Sequence, residues 1–273
     1  MAKKTIGSVS SNLILMLYEK GALIFSAKDV KKITGFKGNY LYRFIQQLVD
    51  REVILRLKPG KYFIIPQEIG RESRFIGNWH IVAREIANSP LYYISLYSAM
   101  DLHNMTTHPL IKIYITSPKQ ERKRIRTIVN VKFEFIFQKK DKIWGIQELW
   151  INNTEKIRVS NLERTILDCL LKPKYAGGVL EIAKGIWIQK DKINYEKLLD
   201  YMEKLNVSVV AKRLGYIFEI LQIGDNLGAE LRKFVNNKYY LLDPTIPKTN
   251  TFKNSWKLIA NIDPKELSQA IQT

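Results

Sequence analysis

A single cysteine among 273 residues, Cys169, removes two classes of chemistry at once. No disulfide can close within the chain, and no cysteine-based metal site can form. Cys169 falls in the helical pattern Leu162 to Leu171 among Ile166, Leu167 and Leu170, where a small buried hydrophobe is its expected role. Histidine is almost as scarce. His80, His103 and His108 show no metal-ligand spacing, and no Ser-His-Asp grouping suggests itself. Gly-rich phosphate loops are missing as well, because Gly177-Gly178 lacks the Lys-Ser/Thr partner and the preceding strand that such a loop needs. No apolar run approaches the roughly 20 residues that span a bilayer. The opening Met1-Ala2-Lys3-Lys4-Thr5 forms no signal-peptide core. These absences lead us to expect a cytoplasmic protein that is not an enzyme and has no membrane partner, metal or other cofactor.

Acid is in short supply too: 26 Asp and Glu stand against 44 Lys and Arg, a net charge of +18. That excess exceeds what solubility asks for and favours a polyanionic partner, nucleic acid or an acidic protein. With 46% hydrophobic residues the chain can bury a sizeable core, and its length suits one small and one larger domain. Residues 1–78 hold 14 Lys or Arg and 6 Asp or Glu, so 14 − 6 gives +8 in that stretch alone.

The stretch from Asn39 to Pro66 gives the charge a geometry. Leu41, Ile45 and Leu48 recur at i, i+4 and i+7, which predicts a helix with one apolar stripe and a polar side carrying Asn39, Tyr42, Arg43 and Gln46. Ile54 to Lys58, a Pro59-Gly60 turn and Lys61 to Ile65 then read as a basic hairpin. Two short helices are expected upstream: one capped by Ser10-Ser11 and ended by Gly21, the other opened by the capping-box-like Ser26-Ala27-Lys28-Asp29. Three helices and then a hairpin is the order of a winged helix-turn-helix, which lays its second paired helix in the DNA major groove. On that reading Arg43 and Gln46 face base edges, while Lys37, Asn39, Arg56, Lys58 and Lys61 face phosphate. Tyr42 suits either role or packing.

Residues 79–90, with Trp79, Ile81, Val82 and Ile86, read as a connector that packs on the larger C-terminal part; Arg71, Arg74 and Arg84 add positive charge around it. A larger mixed α/β domain over residues 91–273 completes an α+β chain. Tyr92 to Tyr97 is expected as a strand or buried segment continued by Ser98 to Asn104. Leu110 to Thr116, Ile128 to Gln138, Trp144 to Trp150 and Ile157 to Val159 read as short strands, and helices dominate from Asn161. Lys119, Arg122, Lys123, Arg124 and Arg126 form a second basic stretch, either a solvated loop or an extension of the nucleic-acid track. Arg164 and Asp168 stand four apart on a helix and can pair, docking it on the sheet. Gly177-Gly178 is most simply a turn. A nuclease site built from Glu134, Asp141 and Glu148 is a rival reading, although these acids lack the compact spacing of a two-metal centre.

Several of these segments resemble one family. Tyr92 to Ala99 with His103, Ile113 to Lys119, and above all Arg158-Val159-Ser160-Asn161-Leu162-Glu163-Arg164-Thr165-Ile166-Leu167-Asp168 with Pro173 and Gly177-Gly178 downstream are similar to the AbiEi antitoxins. So are Ala211 to Tyr216, Leu242-Asp243-Pro244, Trp256 and Asn261 to Pro264. The resemblance implies a winged-helix repressor that binds inverted repeats in double-stranded DNA upstream of its own operon. It also implies a C-terminal antitoxin domain acting against a nucleotidyltransferase-like toxin in a type IV, abortive-infection pair serving viral defence. Glu163, Arg164, Asp168, Gly177 and Gly178 are the signature positions, and a weak or DNA-induced dimer fits the paired repeats. The alternative is a ligand-responsive winged-helix regulator without a toxin partner.

Overall fold

The computed structural model describes residues 7–65, 79–106, 108–128, 131–153, 155–224, 227–248, 251–252 and 254–269. The expected Arg71 and Arg74, and the domain boundary at residue 78, lie outside them. The fold is α+β. It opens with α1 (Ser8–Glu19), β1 (Ile24–Ser26), α2 (Ala27–Thr34), α3 (Gly38–Asp50) and the hairpin β2 (Ile54–Lys58) and β3 (Lys61–Ile64). Helix α1 begins before Ser10-Ser11, and Ser10 is buried rather than a cap. Ser26 does open α2, its backbone N–H and Oγ donating to Asp29 Oδ2 at 2.8 and 2.7 Å. Burial opposes the charge on Asp29, but the Ser26 bonds, Lys32 and Lys61 together hold its carboxyl below the ordinary range.

The sequence pattern does not anticipate β1, which is too short to show a periodicity. It exists because β3 pairs with it, Phe25 opposite Tyr62, making a three-stranded antiparallel sheet in the order β1-β3-β2. Leu13, Leu17, Val30, Leu41, Ile45, Leu48, Ile54 and Tyr62 close the small core on the helix side of that sheet.

Helix α4 (Trp79–Ala87) sits between the two halves of the chain. The Trp79 ring lies 5.4 Å from Phe63 of the hairpin and 6.3 Å from Phe133 of the larger sheet. Arg84 adds an ion pair to Glu155 at 2.8 Å and donates to Lys156 O at 2.9 Å. The 79–90 stretch is thus packed on both sides.

The larger half centres on a mixed six-stranded sheet in the order β6-β7-β5-β4-β9-β8. Its strands are β4 (Tyr93–Ile94), β5 (Lys112–Ser117), β6 (Ile125–Ile128), β7 (Val131–Phe137), β8 (Ile146–Trp150) and β9 (Lys156–Ser160). Alternation places Ile113, Ile115, Phe133, Phe135, Ile157 and Val159 against α4. On the other face Ile136 and Tyr114 join a core shared by α5 (Leu96–Leu102), α6 (Leu162–Leu171), α7 (Val179–Ile188), α8 (Tyr195–Leu205) and α9 (Ser208–Leu221), with α7, α8 and α9 packed against α6. Two short helices, α10 (Leu227–Arg232) and α11 (Pro264–Gln269), and a parallel pair, β10 (Tyr240–Leu241) with β11 (Leu258–Ile259), finish the chain.

Two local expectations change. Tyr92 to Asn104 is a two-residue strand and then a helix: Ser95 N–H still donates to Tyr114 O, but Ser98 Oγ then accepts from Tyr114 N–H at 2.9 Å and donates to Lys112 O. A side chain takes over the hydrogen bonds that a continuing strand would have supplied. The basic stretch is also not simply a loop, because Ile125 and Arg126 open β6, paired antiparallel with β7. Among the described residues, no helix is long and apolar enough to cross a membrane.

Candidate nucleic-acid interface

Phe36 sets how α3 is presented. Lying in the α2–α3 turn, its ring meets Tyr40 at 4.6 Å and Phe44 at 5.1 Å, both edge-on. With Leu41, Ile45 and Leu48 buried beneath, α3 turns Asn39, Tyr42, Arg43 and Gln46 to solvent. Tyr40 joins them, 61% exposed like Tyr42. The sequence pattern did not single out Tyr40, yet its spacing three before Arg43 places it on the same side. Among the described residues one acid is hydrogen-bonded on this face: Gln46 Nε2 donates to Asp50 Oδ1 at 2.8 Å. Lys37 is exposed at the N-terminus of α3, where the helix dipole adds to its positive field.

The hairpin distributes its cations between two faces. Arg56 lies opposite Tyr62, so it shares the face of the small core. After a bulge between Arg56 and Lys58, Lys58 lies opposite Lys61 on the other face. Lys58 is turned to α4, with Nζ 3.1 Å from Glu85 Oε2 and within 3.4 Å of Asn88 Oδ1. Arg56 stays exposed, and Lys61 is half-buried. On the expectation that this hairpin is a DNA wing, replacing Arg56 and Lys61 together with alanine should lower the salt slope of DNA binding by about two, one per lost phosphate contact. Lys58→Ala should change that slope less and cost at most about 1 kcal/mol of stability, as a partly exposed pair does. Titrations of DNA binding across salt and denaturant melts check both; an equal loss of slope in Lys58→Ala would return Lys58 to the phosphate set.

The second basic stretch is largely answered by acids. Lys119 pairs with Glu121 at 3.0 Å, and Arg126 pairs with the same carboxylate. Arg124 meets Glu134 at 3.0 Å, and Lys112 reaches Glu134 at 2.7 Å. Arg122 and Lys123 remain exposed. Glu134 on β7 and Glu148 on β8 are separated by three intervening strands, and Glu148 instead pairs with Lys156. Among the described residues, no three His, Cys, Asp or Glu side chains gather as a metal site requires.

Of the signature positions, Glu163, Arg164, Asp168 and Gly178 are buried in the helical layer, while Gly177 is exposed. Asn161 caps α6, its Oδ1 accepting from Arg164 N–H at 3.0 Å. The Arg164 guanidinium lies 2.9 Å from Asp168 and 3.8 Å over the Trp144 ring, while Tyr93 OH donates to Asp168 from β4. Both partners of the ion pair belong to α6, so its tie to the sheet at this point is the Tyr93 bond; Arg164 also donates to Lys142 O at 3.3 Å in the β7–β8 connection. Burial works against the Arg164 charge, but Asp168 and Tyr93 outweigh it and raise its pKa; burial, then Asp168, pushes Tyr93 up. Glu163 accepts from Asn194 N–H at 3.1 Å and pairs with Lys197 at 2.9 Å, tying α8 to α6. Gly178, at φ +91°, leaves room for Asp243 Oδ2, which a Cβ would approach to 2.8 Å and which accepts from Val179 N–H at 2.6 Å to cap α7. Asn261 in turn holds the Asp243 backbone through bonds of 3.0 and 2.8 Å. Cys169 is fully buried, and burial raises its thiol pKa well above the ordinary value.

His103 Nε2 lies 2.7 Å from Ser160 O, which assigns it the proton at neutral pH. Burial lowers the His103 pKa, outweighing that bond and Glu163. Below its ordinary value of about 6.5 the unfolded chain therefore takes a proton that the folded chain resists. Stability contributed by His103 is full above that point and falls as pH drops toward its folded pKa. Melts from pH 7.5 to 5 should show a shallower decline in His103→Gln than in the parent; identical slopes would remove His103 as the cause.

No protein-family model matches the chain, and no curated protein matches it. A solved structure, that of the RV2827C protein from Mycobacterium tuberculosis, superposes with a TM-score of 0.69 over 100% of this chain and 97% of its own, at 13% identity. The likeness is one of fold.

Proposed function

We propose that the chain is a DNA-binding transcriptional repressor that autoregulates its operon and serves as the antitoxin of a type IV toxin–antitoxin pair in the cytoplasm. The observation that carries the DNA half is the polar face of α3. Asn39, Tyr40, Tyr42, Arg43 and Gln46 stand exposed on one helix, with a hydrogen bond between Gln46 and Asp50 as the one such tie on that face among the described residues. In this reading residues 1–78 are a winged helix-turn-helix, α3 is its recognition helix and β2–β3 its wing. The chain's net charge of +18 supports a polyanionic partner.

Support for the antitoxin half comes from the AbiEi-like segments, carried by residues 91–273. Those segments meet in space: Gly178 on Asp243, Asp243 on Asn261, and Tyr93 on Asp168. The toxin in this reading is nucleotidyltransferase-like, and a DNA-induced dimer would match paired inverted repeats.

Arg43→Ala and Gln46→Ala should each cost about 1–3 kcal/mol of binding to the operator and relax preference at one base pair. Competition gel shifts with single-base operator variants measure this, and unchanged preference would overturn the assignment of α3. Co-expressing the full chain with the nucleotidyltransferase-like gene of its operon should restore growth. Persistent toxicity with both proteins present would remove the antitoxin half and leave the repressor.

A further inference from the structure

Beside the Pro173–Tyr175 turn after α6, a cleft of about 460 Å³ opens along the end of β7, a volume within the range of small-molecule sites. Strand β6 pairs with β7 only from Val131 to Glu134, with one further bond from Phe135 N–H to Arg124 O, so the Ile136–Phe137 end projects past its neighbour. Phe137 is 47% exposed there, and Tyr175 forms part of the lining. Lys119, Arg124, Lys172 and Lys174 line the same cleft with one acid, Glu121, so 4 − 1 leaves +3.

Two of those cations are already engaged, Lys119 by Glu121 and Arg124 by Glu134. Lys172 and Lys174 make no ion pair among the described residues, and Lys174 instead stands 4.8 Å from the Tyr175 ring. Arg124 lies 5.2 Å from that ring as well. Burial lowers the Lys172 pKa; Asp168 opposes this, while Arg164, Arg124 and Lys174 push it further down. An anion placed among these groups would relieve mutual repulsion. The same occupant would meet an aromatic wall, which binds flat rings by stacking.

We propose that this cleft is a binding site for a nucleoside polyphosphate, with the phosphates on Lys172 and Lys174 and the base against Phe137. A phosphate alone would leave the apolar wall unused, and an apolar ligand would leave the cations unanswered. The proposal stands apart from the reading of α3 as a DNA helix, because it uses none of the same residues.

Calorimetric titration of the full chain with ATP, GTP, CTP and UTP, with inorganic tripolyphosphate and with the four nucleosides tests it. At least one nucleotide should bind about tenfold more tightly than tripolyphosphate, and the nucleosides should bind weakly or not at all. The Lys172→Gln/Lys174→Gln double variant should weaken that nucleotide and tripolyphosphate by tenfold or more. Phe137→Ala should weaken the nucleotide alone. Should the double variant melt early, Lys174→Glu, at an exposed position, replaces it with the same expectation. Three results would overturn the proposal: no binding of any nucleotide, equal binding of tripolyphosphate with no effect of Phe137→Ala, or losses in the lysine variants confined to duplex DNA.

Discussion

Gly215→Ala is expected to destabilise the protein by about 2 kcal/mol, although alanine is the better helix former by about 1 kcal/mol. Gly215 lies inside α9 against the buried Trp256 indole. A Cβ built there would sit 2.1 Å from Trp256 Cη2 and 2.3 and 2.5 Å from Cζ3 and Cζ2. The ring is held from other directions: Nε1 donates to Glu219 at 2.7 Å, and the Arg232 guanidinium lies 4.2 Å from the ring centre. Retreat of the indole would break those contacts, so the steric cost outweighs the gain in propensity. Trp256→Ala should cost about 3–5 kcal/mol, as truncation of a buried aromatic does. Once the ring is gone the extra methyl has space, so the double variant should be no less stable than Trp256→Ala alone. Urea unfolding of the four proteins measures the cycle; additive losses would mean that Gly215 and Trp256 do not meet.

Arg213→Met should cost about 3–5 kcal/mol, because each buried carbonyl that loses its donor costs about 1–3 kcal/mol. The Arg213 guanidinium donates to three backbone carbonyls: Leu170 O at 2.6 Å, Leu242 O at 2.8 Å and Leu241 O at 3.0 Å. Leu170 O belongs to the last turn of α6, where carbonyls have no helical partner of their own. Burial lowers the Arg213 pKa to about 10, with Asp243 opposing, so the group remains charged at neutral pH. Methionine fills similar space but takes a charged donor from each of three carbonyls. Arg213→Lys should lose less than methionine yet remain clearly destabilised, because an ammonium cannot serve three carbonyls with the geometry of a guanidinium fork. Thermal melts check the order; a methionine variant as stable as the parent would show that water can replace all three bonds.

The residues of α3 were legible because their pattern is local. Leu41, Ile45 and Leu48 recur within one helix, and their spacing fixes which side chains face out. The Pro59-Gly60 turn announced the hairpin in the same way. Strand β1 carries no such signal, since its three residues become a strand only by meeting β3. Helix α5 was hidden for the opposite reason: the β-favouring run Tyr92 to Tyr97 is overridden where Ser98 takes up hydrogen bonds of β5. Lys58 looked free in a basic hairpin, and a bulge together with Glu85 on α4 gives it a partner that spacing could not reveal. Similarly, Arg164 and Asp168 could be paired from their spacing, but not placed under Trp144. Phe137 and Lys174 share a cleft although nothing in their local sequence links them.

On the proposed function, α3 reads a particular DNA sequence rather than lending the chain a general attraction to polyanions. Fluorescence anisotropy of the purified 273-residue chain, with its own upstream duplex and a shuffled duplex of equal length and composition, tests this most directly when run from low to moderate salt. The account predicts a steep salt dependence for both and an advantage for the upstream duplex of about 10³-fold or more that persists as salt rises. Equal affinities that fall together with salt would contradict it and reduce the charge of this protein to non-specific attraction.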